Sequence, residues 1–137
     1  MKQTRGTTPF PNVLLDVLMP SLTDTSWRIL CIVVRQTLGW HVENGVRKRE
    51  DWLSHSQLKR RSGRHSEAIS RAIANLYDRG LIEIRSEDGD LLRTPGDRER
   101  HRGKHIYSLS SGVLSLIRSL SDIETRKSKA TKQKETK

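Results

Sequence analysis

The run Ser62-Gly63-Arg64-His65-Ser66-Glu67-Ala68-Ile69-Ser70-Arg71-Ala72-Ile73-Ala74-Asn75-Leu76 sets two kinds of surface on one short segment. Ile69, Ala72, Ile73 and Leu76 recur at helical spacing and make an apolar stripe. The other positions carry Arg64, His65, Ser66, Glu67, Ser70, Arg71 and Asn75, groups able to hydrogen-bond base edges or grip phosphates. Arg64 or Arg71 suits bidentate pairing with guanine. Glu67 can accept from cytosine N4, or it pairs with Arg64 or Arg71, because phosphates repel an uncommitted carboxylate. The simpler reading is a surface helix whose charges only solvate it.

Neighbouring charge weighs against that simpler reading. Lys59, Arg60 and Arg61 close the preceding helix, at a turn suited to approaching a phosphate backbone. Arg93, Arg98, Arg100, Arg102 and Lys104 crowd a later segment that holds only Asp97 and Glu99 as acids, and they are the remaining backbone-contact candidates. Arginine also suits the narrow, electronegative minor groove. The 137-residue chain has a formal net charge of +10 and a pI near 10.4, so a polyanion such as double-stranded DNA is the expected partner.

Other chemistries find little footing. No phosphate-binding Gly-x-x-x-x-Gly-Lys-Ser/Thr run occurs. His101 and His105 are four apart but lie in an expected hairpin without a nearby Cys or third His, so phosphate contact or exposure is expected and no metal. Asp88 and Asp90 flank Gly89 as in a turn, and no nucleophile, base and orienting acid can be assigned. The expectation is a non-enzyme without cofactor. Cys31 is the single cysteine and suits packing. No apolar run approaches the roughly 20 residues that span a bilayer, and the opening residues lack a signal-peptide pattern. A cytoplasmic or nucleoid-associated protein in a bacterial cell, with no membrane partner, is expected.

Elements that would position these residues can be traced along the chain. Residues 1–9 form a flexible arm, 10–120 one domain and 121–137 a basic tail with no large apolar residue after Ile123. Val13 to Leu18 read as a short helix stopped by Pro20. Thr23 or Asp24 caps a helix whose Trp27, Leu30, Cys31, Val34 and Leu38 share a face, and which ends at Gly39. Trp40 to Asp51 form a connection with a turn at Asn44-Gly45, and Asp51 to Leu53 are extended. Trp40 is expected as a lid on the core, not as a stacking site with His41.

Ser54 caps a helix from His55 to Arg61 with Leu58 inward, and Gly63 separates it from the helix Ser66 to Arg79, which closes at Gly80. Leu81 to Arg85 and His105 to Leu109 suit antiparallel strands joined by a long, charged hairpin tip at 86–104. Val113, Leu114, Leu116, Ile117 and Leu120 make a last amphipathic helix that either closes the core or pairs with a second copy as a homodimer. The fold class is mainly α with a small antiparallel β-hairpin, in the order of a winged helix-turn-helix with Ser66 to Arg79 as the helix that enters a major groove.

With Phe10-Pro11-Asn12, Leu15-Asp16 and Arg35-Gln36-Thr37-Leu38-Gly39-Trp40, the chain resembles the N-terminal origin-binding domain of the phage replication protein O family and related plasmid and phage initiators. The resemblance spans residues 7–110, and Arg-x-Thr-x-Gly-Trp is its most distinctive run. It implies sequence-specific binding to origin repeats, often as a dimer, and a replication protein as partner, with contacts on Ser66, Glu67, Ser70 and Arg71. The helicase-partner region of that family would follow the domain, where this sequence has only a helix and a basic tail. A winged-helix transcriptional regulator acting as a repressor, with a transcription protein as partner, is the alternative. A protein-interaction module comes next.

Overall fold

The computed structural model describes residues 6–40 and 47–120. His41, the Asn44-Gly45 turn, most of the N-terminal arm and the tail from residue 121 lie outside the described residues. The elements run α1 (Asp24–Thr37), β1 (Glu50–Trp52), α2 (His55–Ser62), α3 (Ser66–Asp78), β2 (Ile82–Arg85), α4 (Pro95–Arg100) and β3 (Ile106–Leu109), and residues 111–120 are helical. Mainly helical, with one three-stranded antiparallel sheet in the order β1-β3-β2, the chain has the winged-helix arrangement. Glu50 pairs with Ser108, Trp52 with Ile106, and Ile82 with Leu109.

The helices begin where their caps direct. Thr23 accepts from the Ser26 N–H at the start of α1. Ser54 and Gln57 exchange hydrogen bonds in a full capping box at the start of α2. Gly80, at φ +70°, closes α3 by letting the Leu81 N–H reach the Leu76 carbonyl at 3.0 Å. α3 packs on α1 and α2 through its expected stripe of Ile69, Ala72, Ile73 and Leu76, all buried. Leu58, fully buried, fills the corner below them.

Several expectations need correction. The buried face of α1 runs through Ser26, Ile29, Leu30, Val33, Val34 and Thr37, while Trp27, Cys31 and Leu38 stand at its margin. Ser26 and Thr37 can be buried because each hydroxyl has a partner, Asn75 Oδ1 at 3.4 Å and the Val33 carbonyl at 2.7 Å. Cys31 is only half-buried, and burial pushes its thiol up. Pro20 does not stop a regular helix. It lies in a 3₁₀ turn (Met19–Ser21) that follows a π-helical turn (Leu14–Leu18), a sequence that buries Leu14 and leaves Leu15 and Val17 exposed. The first strand is Glu50–Trp52, one residue earlier than expected, because Leu53 turns into the core.

Trp40 is no core lid. It is exposed, and the Arg35 guanidinium covers its ring at 5.1 Å. A Cβ at Gly39 would run into the Arg35 carbonyl, so the Arg-x-Thr-x-Gly-Trp run is a tightly folded helix end. The 86–104 segment is no open hairpin tip. Ser86 to Asp90 form a turn, Leu91 bridges to Arg85, and Leu92 enters the core. Thr94 and Asp97 then make a second capping box that starts α4, with Pro95 in its first turn. In the last helix Val113 is buried and Leu114 and Ile117 pack on the core, so its first turns close the domain, while Leu116 and Leu120 remain exposed.

Candidate nucleic-acid interface

The turn before α3 is fixed from several sides. Gly63 holds φ +70° at the end of α2, its N–H donating to the Lys59 carbonyl at 2.9 Å. Arg28 reaches across from α1 and donates to the Ser62 carbonyl at 2.6 Å, and the Arg64 N–H donates to Ser62 Oγ at 3.2 Å. Arg64 is itself drawn inward: its Nε is buried without a hydrogen-bond partner. His65 is the N-cap, exposed, and its side chain makes no cap bond.

The seven residues expected to read bases divide once the helix is placed. Glu67, Ser70 and Arg71 face outward with His65 and Ser66 at the helix start. Glu67 and Arg71 form a long ion pair at 4.0 Å with side chains 92% and 80% exposed, a contact that restrains neither strongly. Ser66 Oγ lies 2.7 Å from His55 Nε2, tying the start of α3 to α2. Burial lowers the pKa of His55, Lys59 and His105 push it the same way, and the bond to Ser66 opposes them. Asn75, also exposed, stands on the flank facing α1, where its Oδ1 accepts from the Ser26 hydroxyl.

The basic candidates divide as well. Lys59 and Arg60 are exposed and have no carboxylate partner among the described residues, and the same holds for Arg93 and Arg102. Arg61 instead donates to Gln36 Oε1 at 2.8 Å on the α1 side, and burial, then Arg35 and Arg60, lower its pKa. Arg98 donates to the Leu92 carbonyl at 3.1 Å and lies over the Tyr77 ring at 5.5 Å, which fastens α4 to α3. Arg100 pairs with Asp97 at 2.9 Å. Lys104 sits over the exposed Trp52 ring at 5.2 Å, and its N–H donates to Glu87 Oε2 at 2.8 Å. His101 stacks on His105 and contacts the same carboxylate oxygen at 3.2 Å; a hydrogen bond with its own backbone, and then His101, lower the pKa of Glu87.

An open cleft of about 690 Å³ lies between α3, the start of α2 and α4. Its lining includes Ser70 and Ile73 of α3, His55 of α2, Arg98 of α4, Arg102, and Trp52 of β1. Burial pushes the Tyr107 hydroxyl, also in the lining, up to about 12 despite the pull of Arg98.

No protein-family model, curated protein or solved structure matches this chain. The site is therefore defined by its own geometry: an outward α3 face of Glu67, Ser70 and Arg71, with Arg102 sharing the cleft lining with Ser70 and Lys59 exposed on the preceding helix. Among the described residues no group of three or more His, Cys, Asp or Glu side chains is placed to hold a metal, and no helix is long and apolar enough to cross a membrane. Arg28, His55 and Trp52 were not anticipated as parts of this region. His55 follows directly on the cap residue Ser54, which is the one signal that placed it at a helix start. Arg28 and Trp52 gave no comparable signal.

Proposed function

We propose that this chain binds double-stranded DNA sequence-specifically through α3, and that its role is origin recognition in phage or plasmid DNA replication. The observation that carries the binding reading is the outward face of α3. Arg71 and Glu67 project from it into solvent while the opposite face is buried, and Ser70 shares a cleft with Arg102, which has no carboxylate partner among the described residues. A B-DNA major groove admits one helix, and an exposed arginine there can pair with guanine O6 and N7. Lys59, Arg60, Arg93 and Arg102 are suited to phosphates, whose contacts set position and orientation without reading sequence. The Glu67–Arg71 contact is loose enough for either side chain to exchange its partner for a base edge.

The replication role rests on the likeness of the first 40 residues to the initiator family. Their most distinctive run is accounted for by the Arg35–Trp40 stack and the close approach of Gly39 to Arg35, so it supports ancestry more than contact. Selection of sites from a random duplex library, followed by titration of the winner and a scrambled duplex at several salt concentrations, tests the reading. One tightly bound motif is expected, repeated or inverted if the site is an origin. Equal, weak binding to both duplexes with a steep salt slope would overturn it, leaving only the attraction of phosphates to a +10 chain.

A further inference from the structure

The duplex reading uses the outer face of α3 and leaves the cleft beside it without an occupant. We infer that this cleft binds a single nucleotide unit, its base against Trp52 and its phosphate between Arg102 and His55. The volume of about 690 Å³ lies within the range of small-ligand sites, about 300–1,000 Å³. The lining has the two halves such a ligand requires. Trp52, Ile73 and Pro95 offer flat or apolar surface, and Trp52 is 44% exposed, a large aromatic ring left in solvent on an edge strand.

Of the described residues, the polar half holds one free cation, Arg102, beside hydrogen-bonding imidazoles, since Arg98 is committed to the Leu92 carbonyl and the Tyr77 ring. Among the described residues Arg102 has no carboxylate partner, His55 and His105 also line the cleft, and Glu99 is the one acid of the lining. His55 is the first residue of the eight-residue α2, so the positive end of that helix opens on the same space. Ser54 and Ser70 add hydroxyls that can donate or accept. Lys104, already 5.2 Å from the Trp52 ring centroid, brings another cation to the aromatic wall. A tryptophan in the same cleft as Arg102 combines the stacking surface and the electrostatic attraction that hold single-stranded nucleic acid. An anion without a ring would leave the apolar wall unused, and a neutral ring would leave Arg102 unpaired.

Ser70 and Arg102 belong both to the cleft and to the surface proposed for duplex DNA, so occupancy of one is coupled to the other. The cleft inference does not depend on the duplex reading. Its ligand can be a free nucleotide or one nucleotide of an unpaired strand, and these sources share the same chemistry.

The test follows the indole N–H of Trp52 and the backbone amides of Ser70 and His105 by nuclear magnetic resonance. The full chain is titrated with thymidine monophosphate, thymidine, inorganic phosphate and a ten-nucleotide oligothymidylate. Saturable shifts with the monophosphate, and weaker binding of thymidine and of phosphate, are expected for a free nucleotide. Saturable shifts with the oligonucleotide alone assign the site to an unpaired strand. Trp52→Ala is expected to weaken binding roughly 10-fold or more, and Trp52→Phe to restore most of it. The inference is overturned if neither nucleotide ligand shifts Trp52, or if phosphate binds as tightly as the monophosphate. Failure of duplex selection with intact nucleotide binding removes the duplex reading alone, and the converse removes the cleft alone.

Discussion

Replacing Arg71 by alanine separates the fold from the interface because the side chain does so little for the fold. Its one ionic partner among the described residues, Glu67, is 4.0 Å away, and both side chains are largely in water. An i,i+4 pair of that kind contributes no more than about 0.5 kcal/mol. The urea midpoint of Arg71→Ala should therefore stay close to that of the parent. Binding to a selected duplex should respond differently. If Arg71 pairs with guanine, its loss costs roughly 1–3 kcal/mol, about 5- to 150-fold in affinity, and relaxes preference at one base position. If it contacts a phosphate, affinity falls for every sequence and the slope of log K against log salt drops by about 0.9. Glu67→Gln completes the comparison. A carboxylate that merely neutralises Arg71 repels phosphates, so its removal raises affinity for all duplexes, whereas a carboxylate that accepts from cytosine loses preference at one position. Fluorescence anisotropy at several salt concentrations reads all of these. An Arg71→Ala protein with unchanged affinity, base preference and salt slope would refute the assignment of the outward face.

Three further outcomes follow from the packing and the turn. Leu58→Ala should lose about 2–5 kcal/mol of stability in urea denaturation, since Leu58 is fully buried under α3. Gly63→Ala should cost about 1–2 kcal/mol although a Cβ there meets only Arg28 Nη1 at 3.8 Å, because the strain lies in φ +70° and not in a collision; an unchanged thermal midpoint would contradict this. His55 has a folded pKa below its ordinary value, so its contribution to stability is complete above about pH 6.5 and is lost as pH falls through the depressed value. His55→Gln should therefore narrow the gap in urea midpoint between about pH 7.5 and pH 5.5, measured against the parent.

The parts of the fold legible in the sequence are those where one physical signal dominates. The stripe Ile69, Ala72, Ile73 and Leu76 competes on its helix only with Ala68, Ala74 and the half-buried Tyr77, and it marked the buried side of α3 correctly. Ser54 and Gly80 announced their helix ends for the same reason. In α1 the run Ile29 to Val34 is apolar nearly all round, so periodicity could not choose a face, and two hydroxyl residues with internal partners decided it. The 86–104 segment was hidden by its charge. Its Thr94-Pro95-Gly96-Asp97 run is a helix-start signature, but Arg and Glu on every side made it resemble a solvated loop. Among the site residues, sequence identified which cations exist but not their partners. Arg61 and Arg98 turned out to hold helices together, and Arg102 and Lys59 to face solvent.

The folded state of the segment between β2 and β3 has a thermodynamic consequence. Leu92 anchors it, a capping box starts α4, and Glu87 gathers His101 and the Lys104 N–H at its return. A segment already organised in this way has little backbone entropy to surrender when a partner arrives. Association through this side of the molecule should then show a small heat-capacity change, of the size expected from surface contact and not from coupled folding. The cost of each encounter falls on the long side chains of Arg93, Arg102 and Lys104, which must give up their own freedom to hold a ligand.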